Sequence, residues 1–295
     1  MAKIVAISNQ KGGVGKTTTA VNLAASLALA GQRTLVVDLD PQGNCSSGLG
    51  YPRTDVERGI YDVLMGFRDL DDVRMPTAID GLEVVCATRD LVGAEVELIE
   101  EKDRDRRLRK VLGPARSDYD FVVLDCPPSL GLITVNALAA ADSVLIPLQA
   151  EYYAMEGLSE LLRTIAAVRK KLNPDLHREG VVLTMVDRRN NLCREVEEQT
   201  RDVLGDEVFT TVIPRNVRLG EAPSYGKSIV EYDRRSAGAR SYLSLASELL
   251  ERNGLATDTR RVSGLEPVEG PIDVVVIKVP KTLALLEDQL HRLRP

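Results

Sequence analysis

Short apolar runs alternate with longer stretches of helical periodicity along most of this chain. The runs Ile4–Ser8, Thr34–Asp38, Leu82–Cys86, Phe121–Asp125, Ser143–Pro147, Val181–Val186 and Val208–Ile213 have strand length and are rich in Val, Ile and Leu. Between and after them, Gly15–Ala30, Arg58–Met65, Asp105–Leu112, Leu132–Ala140, Met155–Leu172, Arg194–Leu204 and Gly238–Arg252 carry the spacing of helices. Strands that are apolar throughout, instead of alternating with polar residues, are covered on both faces. The pattern therefore predicts an α/β fold: a mostly parallel, twisted sheet with helices on both sides. In such a sheet the chemistry gathers at the carboxyl ends of the strands.

The pattern changes near Gly254. Residues 1–253 form the expected main domain, and the stretch Thr257–Pro271, polar with two glycines and two prolines, predicts a linker over 254–271. Residues 272–295 then read as an extension: an apolar run Ile272–Val279 and a short amphipathic helix from Lys281. In that helix Leu283, Leu286, Leu290 and Leu293 fall at spacings of three, four and three. The stripe is short, and docking on the main domain accounts for it.

Composition narrows the function. With 295 residues, 44% of them hydrophobic, the chain can bury a large core. No apolar run reaches the ~20 residues a membrane span needs. The chain opens directly on its first strand, so no signal peptide is expected and the reading is cytoplasmic. Cys45, Cys86, Cys126 and Cys193 are scattered and show no C-x-x-C spacing, as free thiols would be. The net charge of −6 gives no general affinity for nucleic acid, so any such binding needs a local basic face. Tryptophan is absent and aromatics are 4%, which argues against base stacking on single strands.

The most informative residues follow the first strand. Lys11-Gly12-Gly13-Val14-Gly15-Lys16-Thr17-Thr18 is a glycine turn between a buried strand and a helix start. Such a turn aims backbone N–H groups at a phosphate chain beside the positive end of a helix. Lys16 reaches the β- and γ-phosphates of a nucleotide, and the Thr17 hydroxyl sits on Mg²⁺. The common spacing G-x-x-x-x-G-K-[ST] is not met, because its first glycine falls on Gln10; a second lysine, Lys11, opens the loop instead. An ordinary glycine turn has no use for two lysines and two threonines packed this closely; an anion does. Two other strand ends carry carboxylates. Asp38 and Asp40 leave the second strand in Asp38-Leu39-Asp40-Pro41-Gln42-Gly43, where Pro41–Gly43 is a poor helix start and a good mobile loop. Asp125 follows four apolar residues in Phe121–Asp125, then Cys126-Pro127-Pro128, and would support the metal ion.

The loop at 11–18 resembles the deviant Walker A box of the ParA/MinD superfamily of nucleotide-dependent positioning ATPases, and the resemblance covers about residues 1–252. It implies a P-loop NTPase fold and an ATP-sandwich homodimer in which Lys11 reaches the partner's nucleotide. It also makes Asp38–Asn44 and Asp125–Pro128 similar to the family's two switch segments. On that basis Asp40 orients the attacking water and Asp38 helps hold Mg²⁺ through its water shell. Lys11, Lys16 and Asp40 are the catalytic candidates, Thr17, Asp38 and Asp125 those for the metal. The stretch Ile213-Pro214-Arg215-Asn216-Val217-Arg218-Leu219-Gly220-Glu221-Ala222-Pro223-Ser224 is similar to a Soj-type segment that borders the adenine, with Pro214 and Asn216 as its contacts. Ala150-Glu151-Tyr152-Tyr153-Ala154 is matched too, with a structural or dimer role.

Arginines concentrate in the second half of the chain: Arg188, Arg189, Arg194, Arg215, Arg218, Arg234, Arg235 and Arg240. Singly each is ordinary solvated surface; together they can form a basic face. The family binds duplex DNA without sequence preference through such a face, and Arg189 and Arg218 match positions that carry it. The resemblance thus implies a chromosome-partition ATPase on the nucleoid, slow, and stimulated by a ParB-type protein. A MinD-like, membrane-associated positioning ATPase is the alternative, although Glu287 and Asp288 interrupt the basic face its C-terminal helix would need. An electron-transfer protein like the nitrogenase iron protein would need a cysteine pair able to bridge two subunits, and Cys86 and Cys126 are poorly placed for that.

Overall fold

The computed structural model describes residues 1–151 and 154–255. The expected linker, the run Ile272–Val279, the leucine stripe and the pair Tyr152-Tyr153 lie outside the described residues. Seven strands form one sheet: β1 (Lys3–Ile7), β2 (Thr34–Asp38), β3 (Arg74–Pro76), β4 (Leu82–Val85), β5 (Phe121–Asp125), β6 (Ser143–Gln149) and β7 (His177–Thr184), in the order β3-β4-β2-β5-β1-β6-β7. Every pairing is parallel except β3 with β4. The helices are α1 (Lys16–Leu29), α2 (Asn44–Gly48), α3 (Ile60–Met65), α4 (Leu91–Glu97), α5 (Arg107–Val111), α6 (Ala115–Asp118), α7 (Leu132–Ala140), α8 (Ala154–Lys171), α9 (Asn191–Leu204), α10 (Val217–Glu221), α11 (Ile229–Tyr232) and α12 (Ala237–Arg252).

The apolar strands split their residues between two cores. Ile4 and Ala6 of β1, Leu35 and Val37 of β2, and Val122 and Leu124 of β5 enter one core. Their neighbours Val5, Ile7, Val36, Phe121 and Val123 enter the other, with α1 and α12. The period of two along a strand sends alternate side chains to opposite faces, and both faces are apolar because both are covered. Helix α1 is buried from Thr19 to Ala28; its alanines let it lie close to the sheet and to α12, where the Thr19 hydroxyl meets the Tyr242 hydroxyl at 3.2 Å.

Six of the expected strands join the sheet. The seventh, Val208–Ile213, does not: it has an isolated bridge at each end, Val208 to Val181 of β7 and Pro214 to Val186 just beyond it, and the Phe209 and Ile213 amides donate to the Val181 and Leu183 carbonyls at 2.8 Å. The Thr210 and Thr211 amides donate instead to the Glu248 carboxylate of α12, at 2.7 and 2.8 Å, so the ladder is interrupted in the middle. The unexpected strand, β3, is a three-residue edge ending in Pro76, a residue that edges tolerate and central strands do not. The expected loop Pro41–Gly43 is there, and helix α2 begins only after it, at Asn44. The chain turns through Gly43 in the left-handed region (φ 67°) and enters a helix at once.

Candidate nucleotide-binding site

Strand register brings the acidic candidates together. Asp38 ends β2 and Asp125 ends β5, and the two are direct cross-strand neighbours; Ile7, the last residue of β1, flanks Asp125 on its other side. The loop 11–18 leaves β1 at this same edge. Gly15 caps α1 in the left-handed region at φ 89°, a conformation costly for any residue with a Cβ, and no side chain caps the helix. The first amides of α1 therefore remain available for an anion.

Lys16 is buried, and its Nζ donates to the Lys11 carbonyl at 3.1 Å, closing the loop on itself. Burial pulls its ammonium below the usual lysine range, while Asp125, Cys126 and Asp40 work in the opposite sense. The loop is braced from outside. Asn9 donates to the Pro147 carbonyl at 2.7 Å and accepts from the Lys11 amide at 3.0 Å; the Thr184 hydroxyl donates to the Val14 carbonyl at 2.8 Å. Lys11 itself points across the surface to Glu151, Nζ to Oε2 3.0 Å, both partly exposed. Glu151 thus gains a contact role within the chain.

The two aspartates differ. Asp38 is fully buried and held: its Oδ2 accepts from the Ser46 amide at 2.8 Å and the Ser46 hydroxyl at 2.6 Å, and its Oδ1 from the Asp40 amide at 3.1 Å. Burial nevertheless pushes its carboxyl up to about 6. Asp125 is equally buried, yet neither of its oxygens has a hydrogen-bond partner of good geometry among the described residues. Burial and the Asp38 charge push it well above the carboxylate range; the Thr17 hydroxyl, which faces it, and Lys16 oppose them. An unpartnered buried carboxylate beside a second one is costly, and a cation removes the cost. Carboxylate and hydroxyl oxygens are the ligands that suit Mg²⁺. No group of three or more His, Cys, Asp or Glu side chains among the described residues closes around an ion, so substrate and water oxygens would complete the coordination. Asp40 is half-buried on the rim, where its Oδ1 accepts from the Gln42 amide at 2.9 Å.

A cleft of about 240 Å³ continues from the loop, lined by Gly15, Thr18, Thr184, Met185, Pro214 and Asn216 among others. Both residues expected beside the adenine are in its wall. The Asn216 Oδ1 is committed to capping α10 through the Arg218 amide at 2.9 Å, which leaves its NH₂ as the group to offer. Sequence reasoning missed Thr184, Met185 and Tyr242 in this wall, and Ser46 behind Asp38. Thr184 and Met185 could have been found, since they lie at the carboxyl end of an expected strand. Met185 holds a left-handed backbone (φ 53°), a strain that concentrates at ligand sites.

The expected DNA contacts lie elsewhere. Arg189 is bidentate to Asp187, Nε to Oδ1 3.0 Å and its terminal nitrogen to Oδ2 2.9 Å, with a side chain 91% exposed. The pairing holds the Asp187 carboxyl at about 2. Arg218 pairs with Glu221 at 2.8 Å and lies 3.7 Å from Asp233. Neither arginine is an unpaired cation. The four cysteines are buried as free thiols, which leaves none at the surface to bridge two subunits. No described helix is long and apolar enough to cross a membrane.

Comparison with known proteins gives a consistent picture. Residues 2–178 match the family model of an AAA domain, and residues 243–295, from within α12 onward, match that of an RLMG N-terminal domain. The chain is 54% identical over 263 residues to the chromosome partitioning protein ParA of Myxococcus xanthus, covering 89% of this chain and 93% of that one. It is 55% identical over 249 residues to the sporulation initiation inhibitor protein Soj of Bacillus subtilis, covering 84% and 98%. The solved structure of cobyrinic acid a,c-diamide synthase from Mycobacterium smegmatis, with bound ATP analog and magnesium, matches with a TM-score of 0.77 at 35% identity, over 86% of this chain and 96% of that one.

Proposed function

Because the chain belongs to the Soj-type chromosome-partitioning ATPases of the ParA/MinD superfamily, we propose that its site binds ATP with Mg²⁺ and cleaves the γ-phosphoryl group as the timing step of DNA segregation. The observation that supports this most strongly is Asp125: a fully buried carboxylate, unpartnered on both oxygens, beside Thr17 and Lys16 and across the strand from Asp38. Thr17 and Asp125 would hold the metal, and Asp38, already fixed by Ser46, would act through water. Mg²⁺, when bound, offsets charge on the β- and γ-phosphate oxygens.

The chain's own groups do the rest. The amides of Gly12–Thr18 and the Lys16 ammonium bind the phosphates, and they are set before the substrate arrives. Asp40 orients the attacking water once it exchanges the Gln42 amide for it. Pro214 and Asn216 border the base. Lys11 leaves Glu151 and reaches the γ-phosphate of a second copy, so that two chains enclose two nucleotides. An exposed pair such as Lys11–Glu151 is worth ~1 kcal/mol or less, a small obstacle to this exchange. The ATP-bound dimer binds duplex DNA without sequence preference through Arg189 and Arg218, is nucleoid-associated in the cytoplasm, and is released when a ParB-type protein stimulates hydrolysis.

The test is the steady-state ATPase rate of the protein alone, with duplex DNA, with a ParB-type protein, and with both. Slow turnover that rises only with the partner supports the reading. Fast turnover indifferent to DNA and partner would overturn it.

A further inference from the structure

The chain as a whole is acidic, yet two of its stretches hold cations and no carboxylate. Residues 106–117 carry Arg106, Arg107, Arg109, Lys110 and Arg116, and residues 161–174 carry Arg163, Arg169, Lys170 and Lys171. The first stretch contains α5 and the second the last turns of α8. The fold sets them side by side. Leu108 and Leu112 from one, and Leu161, Ile165 and Val168 from the other, are buried in the same core. Helix α7 holds both: its Asn136 accepts from the Leu108 amide at 3.1 Å, and Asn173, just past α8, donates to the Leu138 carbonyl at 3.0 Å. Arg106 closes the gap between them by donating to the Leu172 carbonyl at 3.3 Å.

Most of this charge is uncommitted. Arg116 pairs with Asp142 at 2.9 Å, and Arg107 is half-buried with its Nε on the Leu64 carbonyl at 2.6 Å. The other seven cations are exposed, and none of them has a carboxylate within ion-pair distance among the described residues. Arg109 and Lys110 stand three and four residues after Arg106, and Arg163, Ala166, Ala167 and Lys170 share one side of α8. The two exposed alanines keep that side low between its cations. The helix dipole favours basic residues at each helix end taken singly. Setting the two basic ends together is unfavourable, and an anion removes the cost.

Neighbouring carboxylates do not cancel the charge. Glu100, Glu101, Asp103 and Asp105 precede α5 with Lys102 and Arg104 among them, and Glu160 and Asp175 bracket the α8 stretch. Over residues 100–117 and 160–175 taken whole, cations outnumber carboxylates by eleven to six, against 38 to 44 in the whole chain. Asp69 and Asp71 line a cleft with Lys110; Arg68 stands beside them there, and Arg74 takes Asp71 at 3.4 Å.

Neither stretch exposes a large apolar side chain, so a membrane finds no anchor and a protein finds no apolar centre. Neither holds an aromatic residue, so the bases of a single strand have nothing to stack on. The face offers ammonium charges and guanidinium forks, the groups that hold phosphates along a duplex without reading its sequence. Helix α8 runs from the carboxyl end of β6 to the amino end of β7, so its last turn lies at the opposite end of the sheet from the nucleotide loop and from Arg189.

We propose that the α5–α8 face is a second surface for duplex DNA, held by its phosphates alone and indifferent to nucleotide, through which an ATP-bound chain touches two duplex segments at once. The surface itself does not rest on the function proposed above; the bridging of two segments does. Contacts of this kind bind weakly at physiological salt, with Kd of about 10⁻⁴–10⁻⁶ M, so hydrolysis still releases the chain from its stronger hold.

The experiment titrates the full chain into a fluorescent duplex of about 30 base pairs, without nucleotide and with metal chelated, at low and then rising salt. Anisotropy should show binding that falls steeply with salt and is alike for duplexes of different sequence. Arg109→Glu/Lys170→Glu should lose at least about tenfold in affinity and make the slope of log K against log salt shallower by about two. Arg58→Glu/Arg89→Glu, the same change of net charge at exposed positions elsewhere, should not. Arg109→Gln/Lys170→Gln should fall between the two. With ATP and Mg²⁺ and two duplexes carrying a donor and an acceptor dye, the unaltered chain should give energy transfer and Arg109→Glu/Lys170→Glu should not. No nucleotide-free binding at low salt, or equal losses in the two charge-reversed variants, would overturn the surface. Tighter binding to duplex RNA, or to phosphatidylglycerol vesicles, would overturn the choice of DNA. Energy transfer that is absent from the unaltered chain, or that survives in Arg109→Glu/Lys170→Glu, would overturn the bridging. The first assay involves no ATP, so binding by a chain without ATPase activity would refute the functional reading and leave the surface standing.

Discussion

Replacing Ser46 by alanine tests whether the buried acidic pair is built as described. Ser46 is fully buried; its hydroxyl donates to Asp38 Oδ2 at 2.6 Å and accepts from the Ala87 amide at 3.1 Å. A hydrogen bond to a charged group contributes about 1.5–3 kcal/mol, and a buried amide left without an acceptor costs about 1–3 kcal/mol. One oxygen makes both bonds, so the losses overlap, and the expected destabilisation is about 3 kcal/mol. The space vacated by one hydroxyl is too small to admit a compensating water. In a domain of this size the melting temperature should fall by roughly 6–12 °C. Urea unfolding followed by circular dichroism, at pH 8 with metal chelated, measures the loss. A double-mutant cycle with Asp38→Asn isolates the bond itself and should give a coupling of about 1.5 kcal/mol or more. A loss under about 1 kcal/mol, or no coupling, would show that Asp38 is held by its backbone donors alone.

Four further outcomes follow from particular contacts. Gly12→Val should leave the monomer fold and ATP binding intact but prevent the ATP-dependent dimer, because a Cβ at Gly12 meets nothing within 4 Å inside the chain; light scattering with ATP checks it, and a normal dimer would refute the sandwich geometry. Asp40→Ala should retain ATP binding and block hydrolysis, trapping the dimer on size-exclusion chromatography; a monomer that turns over normally would sink the assignment. Arg189→Glu and Arg218→Glu should each weaken duplex binding alike across sequences and make the slope of log K against log salt shallower by about one, read by retention on DNA of several sequences. Glu179→Gln should cost about 2 kcal/mol at pH 7. Burial alone would raise this carboxyl, but Lys3, Ser143 and Asn253 hold it below its usual value, so its contribution is present above the unfolded pKa and is lost as pH falls through the folded one. Wild type and variant should therefore converge in chemical denaturation as pH falls through the folded value, on the acid side of the ordinary glutamate range.

What the sequence disclosed and what it hid divide along the distance between partners. The loop at 11–18 was legible because a phosphate is held by consecutive amides and by side chains on the same turn, so eight adjacent residues carry the chemistry. Asp38 and Asp125 were legible as strand ends, since apolar runs of this kind terminate where the solvent and the ligand begin. Their adjacency is a property of register, and the parallel order β2-β5-β1 supplies it. Ser46 gave no signal: its meaning lies in Asp38, eight residues earlier, and in Ala87, across the sheet. Glu95 likewise reads as one more solvated charge until α4 is set against α7, where its Oε1 accepts from the Ile133 amide at 3.3 Å. Val208–Ile213 shows the same logic in reverse. Its apolar residues do enter the core, with Val208, Phe209 and Ile213 buried, so the local pattern is sound. The amides of Thr210 and Thr211 are nonetheless taken by Glu248, 37 residues or more downstream, and a strand loses its ladder to a single distant carboxylate. The interruption is local. Pairing resumes where the segment reaches the cleft: Ile213 donates to the Leu183 carbonyl at 2.8 Å, Val186 to Ile213 at 3.0 Å and Arg215 to Val186 at 3.1 Å, so the sheet's register still sets Pro214 in the wall of the site.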